Sequence, residues 1–293
     1  MIHRLKRINR RAFLQDSAAL TAGLAAAAAF GETSPGGDPS ANPAAMPMIT
    51  LGGFRVSRLI LGSNPFWGFW HGNPHKPQAY TQEGRKAVMD AAAAQGVTAI
   101  WTPGYKQWIS LWNEYKDGGG KMQTWIGQPD GYEGVTLEDQ ITACAKYGGK
   151  AVCVQGENVD DAMEKKDLDR LRRWLGMIRD CGLPAGLASH HPKSILRAED
   201  AGLPAEFYHL TLGVPDGFGW EDRDRTLATV RQVDKPMVVF KVMGAGRFNP
   251  RMAFPYVFKT IREKDGVCVG ADNTEQVIEN AEFVKTLARS AGS

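Results

Sequence analysis

Most of the chemistry this 293-residue chain can offer rests on a few side chains at the ends of apolar runs. His190 follows the run Ala185–Ser189, where an imidazole suits a general base or a metal ligand. Lys241 closes the run Met237–Phe240. An ammonium stripped of water there serves either as a Schiff-base nucleophile or as a cation that grips an oxyanion or carboxylate. Tyr105, after Thr102-Pro103-Gly104, is a second acid candidate. Asn64 and Gln155 are neutral amides suited to hydroxyl groups, and Glu157 and His209 join them as substrate-binding candidates. His71, Glu157 and His190 together offer one carboxylate and two imidazoles, a donor set for a divalent metal that only the fold could assemble. Each has a plainer use as well. Lys241 can snorkel outward or pair with an acid, His190 and His191 can cap a helix, and Asn64 can cap the loop before Pro65.

Aromatic residues crowd the same positions: Phe66, Trp67, Phe69, Trp70, Trp101, Tyr105, Trp108 and Trp112, then Phe218 and Trp220. Aromatic walls with scattered amides and acids suit a sugar ring, which presents both C–H faces and hydroxyls. A hydrophobic loop cap or a partner interface would use the same residues. The mixed acids and bases of Asp160–Arg173 read as a solvated helix face.

The elements that must position these groups repeat eight times. Short apolar runs at Arg58–Gly62, Val97–Thr102, Met122–Gly127, Lys150–Gln155, Ala185–Ser189, Phe207–Leu212, Met237–Val242 and Gly266–Gly270 alternate with longer amphipathic stretches. Among the latter are Glu83–Gln95, Leu137–Tyr147, Asp161–Cys181, Lys193–Ala201 and Thr274–Leu287. Continuous apolar runs fit strands buried on both faces of a parallel sheet. Glycines before strands (Gly96, Gly182, Gly266) read as helix C-caps. Eight such units predict an α/β protein, a (β/α)8 TIM barrel over 48–293, with Met48–Leu51 and Phe54–Val56 as a short N-terminal β-hairpin. Functional residues then belong at the C-terminal strand ends. Five of the six histidines fall at or near that face.

Composition narrows the partners. The chain carries a net charge of +3, but residues 1–30 contribute +4, so the rest stands at −1 and has no basic excess for a nucleic acid. Those thirty residues combine a basic start, Arg10-Arg11 before Phe13-Leu14, and an Ala-rich apolar run, Ala18–Phe30. They read as a twin-arginine signal peptide, which implies export to the periplasm or beyond through the twin-arginine machinery. The run is too short for a stable membrane anchor. Residues 31–47, rich in Gly, Pro, Ser and Ala, read as a flexible linker. The four cysteines form no C-x-x-C pair and lie in predicted elements, which makes them core thiols rather than bridges or zinc ligands.

The opening Leu51-Gly52-Gly53 through Val56-Ser57-Arg58-Leu59-Ile60-Leu61-Gly62 resembles that of the aldo/keto reductases. Similar too are Gly96-Val97-Thr98 with Thr102 and Tyr105, Gly186-Leu187-Ala188-Ser189-His190, and Val269-Gly270 with Glu275-Gln276 and Glu279-Asn280. The resemblance is collinear over about 48–290 and implies a TIM barrel that reduces carbonyls with NADPH through an Asp, Tyr, Lys and His tetrad. The tetrad is not retained: the Asp position falls on Trp101, the Lys position on Gly127 or Gln128, and the His position on Gln155, with Tyr105 left as the tyrosine match. Asp272 stands where a 2′-phosphate would want a cation, so NADP is disfavoured. The pieces Leu61-Gly62-Ser63-Asn64-Pro65 with His71, Gln155-Gly156, Gly182-Leu183-Pro184-Ala185-Gly186 with His190, and Phe240-Lys241-Val242 also look like a group of exported proteins that share this barrel.

These readings predict an exported barrel enzyme acting on a small polyhydroxylated or carbonyl, carbohydrate-derived substrate by lyase or isomerase chemistry. His190 is the base, Lys241 the electrophile or oxyanion partner and Tyr105 an acid. Asn64, Trp67, His71, Trp101, Gln155, Glu157 and His209 bind substrate. The alternatives are a nicotinamide oxidoreductase with an altered tetrad and a carbohydrate-binding barrel without catalysis.

Overall fold

The computed structural model describes residues 45–68, 78–132, 134–212, 223–244 and 248–291. The predicted leader and most of the linker lie outside them, as do His71, His75, Phe69, Trp70, Phe218 and Trp220.

Eight parallel strands close into a barrel: β3 (Leu59–Gly62), β4 (Ala99–Thr102), β5 (Thr124–Gly127), β6 (Ala151–Val154), β7 (Ala185–Ser189), β8 (Phe207–Thr211), β9 (Met237–Phe240) and β10 (Gly266–Gly270), with β10 paired to β3. The antiparallel hairpin of β1 (Met48–Leu51) and β2 (Phe54–Ser57) precedes it, with Met48 opposite Ser57. Around the barrel run α1 (Gln82–Ala94), α2 (Lys106–Asp117), α3 (Leu137–Lys146), α4 (Gly156–Glu164), α5 (Leu168–Asp180), α6 (Pro192–Asp200), α7 (Arg223–Gln232), α8 (Pro250–Thr260) and α9 (Thr274–Ala291).

Side-chain alternation sorts each strand into two cores. Ile60, Ala99, Trp101, Ile126, Cys153, Ala188, Phe207, Val238 and Cys268 fill the barrel, where Ile49, Leu51 and Val56 of the hairpin join them. Their neighbours Ile100, Trp125, Val152, Leu187, Tyr208 and Val239 face the helices. Each fully buried large aliphatic contributes roughly 1.5–3 kcal/mol. The hairpin is locked to the barrel base by a reciprocal pair: Ser57 N–H donates to Thr98 Oγ1 at 2.8 Å and Thr98 N–H to Ser57 Oγ at 2.9 Å.

Several expectations are corrected. The stretch Asp161–Cys181 is two helices, because Lys166 takes φ +59° and Asp167 then caps α5 by accepting from Arg170 N–H. Glycines 96 and 182 do end helices at φ +83° and +74°, whereas Gly266 opens β10, where a Cβ would sit 2.7 Å from Ile49 Cδ1. Trp108 and Trp112 pack against Trp125 in the helix-facing core, not at the mouth, because α2 turns both inward. Cys144, Cys153 and Cys268 are buried thiols, but Cys181 caps α5 and is exposed. Met46 is already packed in the core, two residues ahead of the predicted domain start. No helix among the described residues is long and apolar enough to cross a membrane.

Candidate active site

A cleft of about 1270 Å³ opens at the C-terminal strand ends. Its lining brings together Asn64, Trp67, Trp101, Tyr105, Gln155, Glu157, His190, His209 and Lys241. Every sequence-predicted site residue within the described segments is there; His71 alone lies outside them.

Inward alternation continues past the strand ends and delivers most of these groups. Ala151 and Cys153 face the interior, so Gln155 follows; Ala188 does, so His190 follows. Lys241 breaks the rule. Val238 and Phe240 point inward, so a regular strand would turn Lys241 toward the helices. Its φ of +60° ends the strand and brings it to the cleft instead. A non-glycine residue in this region costs on the order of 1–2 kcal/mol, and such strain gathers at functional sites. Burial holds the Lys241 ammonium below the usual lysine range, while the Glu157 carboxylate pulls the other way.

His190 is oriented by a residue that reads as solvated in the sequence. Asp160, on α4, accepts from His190 N–H at 2.9 Å and lies 3.1 Å from His190 Nδ1. It also accepts from Ser189 Oγ at 2.5 Å and Ser194 Oγ at 3.0 Å. Both side chains of the His190–Asp160 pair are only 15% exposed. Burial works to raise the Asp160 carboxyl, but the bonds from His190 and Ser189 outweigh it and hold it below the ordinary range. A carboxylate on Nδ1 fixes the proton there and makes Nε2 the basic nitrogen. Asp160 escapes sequence reading because it is one acid in a run of charges. The only signal is that one turn of helix separates it from Gly156, whose bare Cα lets the His190 ring approach. A Cβ at 156 would lie 3.0 Å from His190 Cε1.

The other polar groups are also held in pairs. Tyr105 donates to Asp130 Oδ2 at 2.6 Å, in a buried contact that sequence reading missed. Asp130 is set by its own N–H, which donates to Gln140 Oε1 at 2.7 Å, and its carbonyl accepts from Asn158 Nδ2 at 2.9 Å. Tyr132 donates to Glu157 Oε2 at 3.0 Å, and this bond raises its phenol. Gln155 Oε1 caps α4 by accepting from Asn158 N–H, which leaves its amide nitrogen for the cleft. Asn64 opens a 3-10 turn with its side chain exposed at the rim. Trp67 donates from Nε1 to Thr102 Oγ1 at 3.1 Å and meets Tyr105 edge-on at 5.2 Å. Trp101, His209 and Phe240 form the floor.

Of the proposed metal donors, Glu157 and His190 lie among the described residues and His71 does not. Asp160 holds His190 Nδ1, Tyr132 holds Glu157, and no three His, Cys, Asp or Glu side chains gather as ligands among the described residues. Beside β10 the wall carries Asp272, Gln276, Glu279 and Asn280. Two carboxylates there would oppose a phosphate placed against them.

No family model and no curated protein matches the sequence. The fold, in contrast, is shared with solved structures. A protein designated an aldo-keto reductase from Pseudomonas aeruginosa superposes with a TM-score of 0.61 at 17% identity, covering 86% of this chain and 100% of that one. An aldo-keto reductase from Bacillus halodurans in its holo form gives 0.59 at 12% identity, over 82% and 91%. A truncated 3-deoxy-D-arabino-heptulosonate 7-phosphate synthase from Thermotoga maritima gives 0.54 at 15% identity, over 85% and 94%. At these identities the likeness shows the TIM-barrel fold, which hosts many chemistries.

Proposed function

We propose that the chain is an exported enzyme that moves protons on a small polyhydroxylated carbonyl substrate, as an isomerase or lyase. The observation that carries this reading is the His190–Asp160 pair at the mouth, with Lys241 turned into the same cleft. His190 Nε2 takes the proton from the carbon next to the carbonyl. The electron pair moves onto the carbonyl oxygen, and the Lys241 ammonium stabilises the resulting enediolate. The hydroxyl on the deprotonated carbon then gives its proton to the former carbonyl oxygen, and return of the abstracted proton to the former carbonyl carbon completes an isomerisation. Loss of a β-hydroxyl completes a dehydration instead, with the Tyr105–Asp130 pair delivering the proton that turns the leaving group into water. Gln155, Glu157 and Asn64 offer groups that orient hydroxyls, and Trp67 offers a ring face to a sugar. The leader of residues 1–30 supports export.

Incubation of the purified protein with aldoses, ketoses and sugar acids in D2O, followed by NMR, tests the reading. Deuterium is expected at the carbon beside the carbonyl, and not with His190→Ala. Absence of exchange across all three classes overturns it. The runner-up, a nicotinamide oxidoreductase, draws support from the buried Tyr105–Asp130 pair. Quenching of tryptophan fluorescence by micromolar NADH or NADPH would favour it, and glycan binding without turnover would favour a binding barrel.

A further inference from the structure

Arg85, on α1, lines the cleft as a charge without a counter-charge. Arg170 and Arg262, also half-buried, meet Asp161 at 2.8 Å and Asp265 at 2.7 Å. No carboxylate among the described residues pairs with Arg85. Its Nη2 donates to the carbonyls of Phe66 at 2.6 Å and Tyr80 at 3.1 Å, and its Nε is buried without a partner. Nη1 makes no hydrogen bond among the described residues, yet unlike Nε it is open to solvent. The guanidinium lies over the Trp67 ring, 4.6 Å from its centroid, which fixes it at the wall of the mouth. Burial pulls its pKa below the usual arginine range, with only the Tyr80 phenol acting the other way, but a guanidinium keeps its charge at any working pH. A half-buried cation with spare N–H groups and neutral partners gains more from an anion than from an alcohol, because charge on both partners strengthens the hydrogen bond.

We infer that Nη1 of Arg85 is a subsite for a carboxylate, and that the substrates of this cleft are sugar acids. The rest of the lining limits the charge a ligand can bring. Asp130, Glu157, Asp272 and Glu279 stand there against Arg85 and Lys241, so the wall accepts one added negative charge more readily than two. Nη1 also has only its own pair of N–H groups to give, enough for one carboxylate and short of the donors that a phosphate dianion takes. Lys241 already feels the Glu157 carboxylate, whereas Arg85 has no acid beside it. The carboxylate therefore settles on Arg85 and leaves the ammonium to the reacting oxygen. This inference rests on the reading that the mouth holds a polyhydroxylated substrate, but it needs no turnover.

Gluconate and glucitol, a carboxylate and an alcohol on the same carbon skeleton, are the matched probes, titrated calorimetrically into the full-length protein. Gluconate is expected to bind about tenfold more tightly, as for one charge-assisted hydrogen bond. Arg85→Gln, which keeps an amide donor for the loop carbonyls, should erase that advantage and leave the glucitol affinity unchanged. Lys241→Met should preserve it. The inference is overturned by no gluconate binding, by equal binding of the two probes, by an advantage that survives Arg85→Gln or by one lost in Lys241→Met. A stronger, Arg85-dependent hold on glucitol 6-phosphate overturns it as well, in favour of a phosphate. Should Arg85→Gln fail to fold, 15N NMR of the wild-type guanidinium decides: the Arg85 signals should move with gluconate and not with glucitol, and any other pattern overturns the inference. Gluconate held by Arg85 in a protein that exchanges no deuterium supports the subsite and removes only the proposed catalysis. Deuterium exchange without a preference for gluconate removes only the subsite.

Discussion

The two ends of this barrel solve opposite problems with similar residues. At the base, one buried carboxylate is saturated. Asp265, fully buried, accepts from Arg262 Nε and Nη2, both at 2.7 Å, and from the N–H groups of Arg262 and Met237, both at 2.9 Å. Arg262 also donates to the carbonyls of Val233 and Lys235. The mouth differs: nitrogens on His209 and Trp101 meet no partner among the described residues, Lys241 sits in a left-handed backbone, and a carboxylate orients the His190 imidazole. The base spends its hydrogen bonds on stability, and the mouth withholds some of its own for a ligand.

The contrast can be broken most severely at the base. Asp265→Ala leaves Arg262 without its acid and is expected to cost about 3–5 kcal/mol in denaturant unfolding, the usual loss when one partner of a buried pair is removed. Asp160→Asn acts at the mouth on chemistry rather than stability. With Asp160 as a positioning residue, turnover should fall about 10²–10⁴-fold, the typical worth of a general base, with KM little changed. A matched fall in thermal stability would assign Asp160 a structural role instead. Acidification separates the ends further. The folded His209 binds its proton far less readily than the unfolded chain, near 6.5, so its contribution is intact above about pH 6.5. Stability is then lost at about 1.4 kcal/mol per unit as pH falls from there toward 3. His209→Phe should flatten that slope. The smallest effect has the opposite sign: Lys241→Gly relieves the left-handed backbone and should raise stability by about 1 kcal/mol while abolishing turnover. Unfolding curves and activity on one preparation would check both.

Much of the barrel was legible because its signals are local. Apolar runs of strand length ended by turn residues located all eight strands to within two residues at each end, and the hairpin was found by its alternation and Gly52-Gly53. Site residues carried by alternation, Gln155 and His190, were legible for the same reason. Asp160, Asp130 and Asn158 were not, because their partners lie 25–30 residues away and closure of the barrel alone brings them together. The inward turn of Lys241 was equally hidden, since it depends on one backbone angle that a lysine rarely adopts. Trp108 and Trp112 misled because an aromatic residue near a strand end carries no mark of which way its helix will face.

The central claim is that Asp160 makes His190 a base at Nε2. Long-range 1H–15N NMR of the His190 ring, in wild type and in Asp160→Asn, tests it most directly. The account predicts a protonated Nδ1 and a bare, pyridine-like Nε2 in the wild type, with that preference lost in the variant. A wild-type ring protonated at Nε2, or an unchanged tautomer in Asp160→Asn, would contradict it.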